Sequence, residues 1–336
     1  MQSIGQRKLG RSGIELSMLG LGCWAIGGTY RAFGRWSGWG EVDDDESVRA
    51  IRRAMDLGVT FFDTADSYGC GHSERVLARA LGPRRDQVVI ATKVGLMFDE
   101  DERQFTGRSA EPQYIRRACD QSLRRLNTEV IDLYQLHLGD HDIDQAAAVR
   151  DLFEQLVAAG KIRHYGWSTD DPDRAAVFAE GKHCTAVQQS FNILEGNAQT
   201  LSFCEQRDLA SIIRGPLAKG LLTGKFTADS KPPDDLRRDW DLKQGPVADQ
   251  LANLERLRDV LVRDGRSLTQ AALGWLWARS ERTIPIPGFK TVAQVEENVG
   301  ACGFGALAVD QMGQIDAILD RLPGDAKGPK SPVRGD

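Results

Sequence analysis

Four side chains that can move or hold protons stand at the ends of short apolar runs. Asp63 and Tyr68 lie in FFDTADSYG, Lys93 closes ATK and His137 closes LYQLH. A buried carboxylate, ammonium or imidazole is costly without a partner, so groups of this kind at neighbouring strand ends are expected to meet. Together they suit one kind of reaction. A phenol with an ordinary pKa near ~10 is a weak acid at neutral pH. A Lys93 ammonium beside it favours the phenolate, lowers the phenol's pKa and makes Tyr68 a better proton donor. Asp63 is placed to pair with Lys93 and hold it charged. His137 is placed to hydrogen-bond a substrate oxygen or to share the proton relay. What such a set activates is an oxygen that gains negative charge, as a carbonyl oxygen does on accepting hydride.

For these ends to converge, the runs must be parallel strands. Apolar stretches at 18–21, 59–62, 87–92, 130–135, 162–166, 185–189, 209–213 and 283–286 are too short and too continuously apolar for amphipathic helices. Between them lie stretches of helical period at 46–57, 113–126 and 149–159, the first preceded by aspartates and closed by Gly58, the last closed by Gly160. A polar start leads into a hairpin that turns at Gly10–Gly13. The fold class is therefore α/β, a (β/α)8 TIM barrel with an N-terminal β-hairpin and extra helices, since eight βα units of this length fit closure. One barrel domain is expected over 1–323, with a Gly/Pro/Lys-rich, disordered tail over 324–336. Two segments break the alternation. One is the Gly- and Trp-rich insertion 30–43. The other is 222–265, with room for an extra helix at 247–263.

The 336 residues carry 43 basic and 48 acidic side chains, a net charge of −5 with both signs interspersed. That balance speaks against a nucleic-acid surface, which needs a basic stripe. No run approaches the roughly 20 apolar residues of a membrane span, and the first residues hold no signal-peptide core. Six scattered cysteines (Cys23, Cys70, Cys119, Cys184, Cys204 and Cys302) without a CxxC pair suggest free thiols in a reducing compartment. The expectation is a cytoplasmic protein acting on a small-molecule carbonyl substrate, with no nucleic-acid or membrane partner.

The segments FFDTADSYG, ATK and IDLYQLH resemble the catalytic tetrad of the aldo-keto reductase family, and the resemblance runs from RKLGRSGIELSMLGLGCWAIGG to PGFKTVAQVEEN, roughly residues 7–305. It implies a reversible NADPH-dependent reduction of an aldehyde or ketone, with Tyr68 as general acid/base and Asp63, Lys93 and His137 in support. It implies no metal. Trp24, Tyr68 and His137 would face the substrate, and Cys23, Trp24 and Asp63 would border the cofactor. The sequence agrees that no Rossmann domain is present, because Gly20-Leu-Gly22-Cys-Trp-Ala lacks the third glycine of GxGxxG.

The same resemblance places the cofactor across the barrel mouth. Ser168 and Gln188 match the residues that hold the nicotinamide carboxamide, while Thr169 stands where asparagine is usual. Arg214 occupies a position where an aromatic residue often stacks, and a guanidinium plane can stack as well. Beyond it, the Gly215, Pro216, Leu217, Gly220 and Lys225 loop is suited to a pyrophosphate, which small residues and free N–H groups can approach. Gly288, Lys290, Thr291 and Gln294 open the last barrel helix, where an N-terminus with a lysine suits the 2′-phosphate, and Glu297 and Asn298 would meet the adenine. Arginine is frequent in the family where Gln294 stands, so NADPH is expected and NADH is less strongly opposed than usual.

Two other readings compete. A metal hydrolase would use His137, Asp140 and His141, whose spacing suits one helical turn, but the segment is a strand end and loop, and a catalytic metal site needs three well-placed ligands. A non-catalytic, cofactor-sensing module resembling potassium-channel β subunits would keep the barrel, and the four intact catalytic positions argue against it. Trp24, Trp36, Trp39 and Trp167, with the 94–111 loop, are the expected walls around a substrate.

Overall fold

A computed structural model describes residues 4–32, 34–196 and 198–321 of the chain, so the 324–336 tail lies outside the described residues. Eight parallel strands form its centre. They are Leu21–Gly22, Phe61–Asp63, Val89–Val94, Ile131–Leu136, Ile162–Ser168, Cys184–Ser190, Ala210–Arg214 and Thr283–Pro285, paired in chain order. The first and last meet through a parallel bridge between Gly22 and Gly288, with Gly22 N–H donating to Pro287 O at 3.0 Å. Closure depends on the missing side chain at Gly22. A Cβ there would sit 2.8 Å from Ile286 O, closer than such atoms approach.

Helices cover the outside because each offers one apolar face. Asp44–Asp56 turns Val48, Ile51 and Ala54 inward, and Asp43 caps it by accepting from the Asp45 and Glu46 N–H groups. Pro112–Leu126 and Ile143–Ala158 pack in the same way, and Pro246–Leu261 is the extra helix expected in the 222–265 segment.

The amino-terminal end of the barrel is plugged. The hairpin of Gln6–Lys8 and Glu15–Ser17 brings Leu9 and Leu16 against Phe61, Ala91, Leu133, Ala186, Ala210, Ile212 and Ile284. Burying each leucine contributes about 1.5–3 kcal/mol. Arg11 ties the turn down by donating to the carbonyls of Ala179, Gly181 and Cys184. The opposite, carboxyl-terminal end is left for chemistry.

The Trp-rich insertion and the 94–111 loop are more ordered than the sequence suggests. Thr29–Ala32 with Arg35–Gly38, and Leu96–Asp99 with Gln104–Arg108, are two hairpins joined into one four-stranded sheet. The join is narrow: Arg31 pairs with Gln104, Arg31 N–H donates to Arg103 O, and Tyr30 stacks on Phe105 at 4.8 Å.

Candidate active site

Strand alternation decides which side chains enter the barrel. On the second strand Phe61 and Asp63 point in, on the third Ala91 and Lys93, and on the fourth Leu133 and Gln135. The lower member of each pair belongs to the apolar plug. The upper members form a polar layer above it, and pairing in register sets Gln135 beside Lys93 and Asp63 beside Ala91.

Lys93 is fully buried and its ammonium makes three contacts: Asp63 Oδ1 at 2.6 Å, Thr64 O at 2.7 Å and the Tyr68 hydroxyl at 3.2 Å. Burial alone would lower its pKa, but the Asp63 carboxylate and the Tyr68 oxygen outweigh that, so Lys93 is held charged above the usual lysine value. The other Asp63 oxygen accepts from Gln188 at 2.7 Å and from Gln135 at 3.2 Å. Tyr68 sits on the turn after the second strand, at a tight backbone crossing. Gly69 has φ of 61°, and a Cβ there would lie 2.0 Å from Gly27 O, so only glycine fits beside the tyrosine.

Electrostatics correct one expectation. Lys93 does pull the phenol's pKa down, but burial is the larger effect and Asp63 opposes Lys93 as well, so the Tyr68 phenol is pushed up to about 12. Tyr68 is therefore a protonated phenol throughout the ordinary pH range. His137 is shifted the other way: burial, then the Lys93 and Arg214 charges, hold it well below the usual imidazole range. It is neutral, 3.5 Å from the Ser67 hydroxyl, with its ring edge-on to Tyr68 at 5.8 Å.

The wall beside Tyr68 is aromatic. Trp24 stacks on the Tyr68 ring at 5.7 Å and Trp39 meets Trp24 edge-on at 5.4 Å. Both indole N–H groups are buried without a partner, which leaves donors for a ligand's oxygens. Trp36 and Trp167 do not join them. Trp36 is 52% exposed under Arg31, and Trp167 is fully buried against Phe178, donating to Leu138 O.

The expected cofactor positions form an arc from this wall around the mouth. Cys23 is buried at the end of the first strand, its thiol pushed far up by burial, and its N–H donates to Asp63 O. Ser168 pairs in register with Gln188 on the neighbouring strand. Thr169 turns its hydroxyl onto Gly139 O. Arg214 is paired with Asp170 at 2.6 Å, yet its charge still reaches His137, so it belongs to the mouth as well as to an ion pair. Gly215, Pro216 and Leu217 lead from Arg214 to Gly220, where Lys225 and Arg237 come together: a Cβ on Gly220 would lie 3.2 Å from the Lys225 ammonium and 3.3 Å from an Arg237 nitrogen.

Arg237 was not legible in the sequence. Only its packing under Trp39, Phe226 and Trp240 and its pairing with Asp235 bring it here. Lys290, half-buried after Gly288, donates to Glu41 O at 3.0 Å and to Trp39 O, so it also anchors the strap that carries Trp39. Thr291 caps the last barrel helix by accepting from Gln294 N–H, Gln294 accepts from Lys290 N–H, and the Glu46 carboxylate takes the Val292 N–H. Glu297 accepts from the Ser267 hydroxyl and Asn298 donates to Gly288 O at 3.4 Å.

His137, Asp140 and His141 do not assemble a metal site. Asp140 pairs with Arg108, and among the described residues no three His, Cys, Asp or Glu side chains gather as ligands. Nor, among them, is any helix long and apolar enough to cross a membrane.

The sequence matches the aldo/keto reductase family over residues 18–320. It is 32% identical to an aldo-keto reductase of Bacillus subtilis, YhdN, over 328 residues, covering 95% of each chain. The fold superposes on a glycerol dehydrogenase from Gluconobacter oxydans with a TM-score of 0.82 at 31% identity, covering 98% of this chain and 99% of the other. It superposes on an aldo-keto reductase from Klebsiella pneumoniae in complex with NADPH with a TM-score of 0.70 at 25% identity, covering 99% of each. With the model match spanning nearly the whole barrel, the chain belongs to the aldo/keto reductase family.

Proposed function

We propose that the protein reduces an aldehyde or ketone to the alcohol, using NADPH as hydride donor and Tyr68 as proton donor. The observation that carries this reading is the buried contact of Lys93 with both Asp63 and the Tyr68 hydroxyl, at 2.6 and 3.2 Å, beneath an aromatic wall. Membership of the family makes the chain an NAD(P)-dependent oxidoreductase. The residues suit the cofactor: Lys225, Arg237 and Lys290 bring three cations near Gly220 and the strap, with Asp235 as a counter-charge. When bound, NADPH supplies the hydride.

The chain's own residues do the rest. Trp24 and Trp39 exclude water and offer two indole N–H donors. Neutral His137 hydrogen-bonds the substrate oxygen. Tyr68 releases its proton to that oxygen as negative charge develops on it, and the charged Lys93 stabilises the resulting phenolate.

The direct test is oxidation of NADPH on adding an aldehyde or ketone, followed against pH in both directions. Since burial holds the phenol up at about 12, the proton-donating form is fully populated below that value. Reduction should stay level from neutral to about pH 9, while alcohol oxidation, which needs the phenolate, should rise about tenfold per pH unit. His137 should add no acid limb at the ordinary imidazole value near ~6.5. A reductive rate that falls away with a midpoint near neutrality would assign the proton to another group.

Lys290 governs the choice of cofactor. A charge-assisted contact is worth roughly 1.5–3 kcal/mol, about ten- to a hundredfold in affinity. Lys290→Ala should weaken NADPH by that factor and NADH by less than about threefold, the smaller effect coming from the loosened Trp39 strap. High salt should shrink the difference, because a half-buried ammonium is partly screened. Fluorescence titration with both cofactors decides it, and equal weakening would leave Lys290 with the strap alone.

A further inference from the structure

We propose that Gln135 is a positioning residue for this reaction: its side-chain amide locks the Asp63 carboxylate and thereby supports the orientation in which that carboxylate holds Gln188 toward the cofactor. The proposal rests on the carbonyl-reductase reading above and goes beyond it.

Gln135 lies in the middle of LYQLH, one inward position above Leu133 of the plug. It is fully buried, on a strand whose other five residues are buried too. A buried amide without partners is costly, and a leucine would fill the place without that cost. The amide is used. Its nitrogen donates to Asp63 Oδ2 at 3.2 Å, beside the Gln188 nitrogen at 2.7 Å, while Lys93 holds Oδ1 at 2.6 Å.

A carboxylate accepts and never donates when ionised, so both amide nitrogens must face it and the two flips are settled by chemistry. Asp63 is then gripped from both sides and cannot swing away from Lys93. The Gln135 oxygen lies 3.5 Å from the Gln188 nitrogen, a long contact that favours the same orientation. With its nitrogen committed, Gln188 has only its carbonyl oxygen to offer a ligand, an acceptor suited to the N–H2 end of a carboxamide. One amide thus ties the ion pair that supports Tyr68 to the group that would orient the nicotinamide.

Two variants test it in the intact protein, each measured for kcat against pH and for NADPH affinity by fluorescence titration. Gln135→Leu keeps the volume and removes the donor, and kcat should fall on the order of tenfold while the Kd for NADPH changes less than about threefold. Gln135→Glu keeps the shape and becomes a donor only when protonated. At low pH its O–H should replace the amide and kcat should approach wild type. As the acid ionises, two carboxylates face each other and kcat should fall, in a range where the wild type is level.

A merely structural role would not create that extra limb. Should Gln135→Leu fail to fold, the Gln135→Glu profile decides alone. A leucine variant within twofold of wild-type kcat, a glutamate profile parallel to wild type, or a loss of kcat matched by an equal rise in Kd each overturns the proposal. An inactive wild type would sink the carbonyl-reductase reading itself, whereas an active wild type with unaffected variants sinks this proposal alone.

Discussion

Tyr68→Phe is expected to lower kcat for carbonyl reduction by about 10²–10⁴-fold, the usual contribution of a general acid, and to leave NADPH affinity nearly unchanged. The substitution removes one oxygen and keeps the ring that stacks on Trp24 at 5.7 Å, so the wall keeps its shape. The fold should tolerate it, because Lys93 retains Asp63 and Thr64 O as partners. Near-normal binding with collapsed turnover is the signature of an interaction made only in the transition state. Steady-state kinetics beside a binding titration separates the two. A variant that kept half the wild-type kcat would remove Tyr68 from the proton-transfer step.

Lys93→Met should lose activity through the same step, by about two orders of magnitude or more, since the phenolate formed at Tyr68 would lose the neighbouring charge that stabilises it. The loss should not multiply with that of Tyr68→Phe, because the two side chains act as a unit. If the double variant's loss equalled the product of the single losses, the coupling would be absent. The substitution should also cost stability. It strands the Asp63 carboxylate in the barrel with only the Gln135 and Gln188 amides, and removing one partner of a buried pair commonly costs about 3–5 kcal/mol. A lower melting temperature for Lys93→Met than for Tyr68→Phe is therefore expected.

The barrel was readable because eight buried parallel strands leave continuous apolar runs, and seven of the eight expected runs fall within two residues of the strands that form. The first does not: the run at 18–21 forms a strand only over Leu21–Gly22, because the segment before it is occupied with the hairpin and the closing seam. The meeting of Asp63, Tyr68, Lys93 and His137 was readable for a related reason. Charged and phenolic side chains directly after apolar runs have few places to go except the rim.

The four-stranded sheet left no such trace. Its segments, TYRA, RWSG, LMFD and QFTGR, mix aromatic and charged residues without alternation, and its central contact joins residues some seventy positions apart. Trp167 was misplaced for want of register: it follows a glycine on the fifth strand and faces the helices, not the mouth. The rise of the Tyr68 pKa was likewise hidden, since charge partners can be read from residue types but the extent of burial cannot. Gln135 did leave a signal, a lone amide inside an apolar run, and its meaning required the position of Asp63.

In the proposed reaction, hydride transfer to a carbonyl is completed by a proton from Tyr68. The most direct measurement follows NADPH oxidised and alcohol formed in the same reaction with a panel of simple aldehydes and ketones, for wild type and Tyr68→Phe side by side. One alcohol per NADPH is expected for the wild type and a rate at least about a hundredfold lower for the variant, with both proteins binding NADPH alike. Tight NADPH binding without carbonyl-dependent oxidation in the wild type would contradict it, and would leave a cofactor-binding module in place of an enzyme.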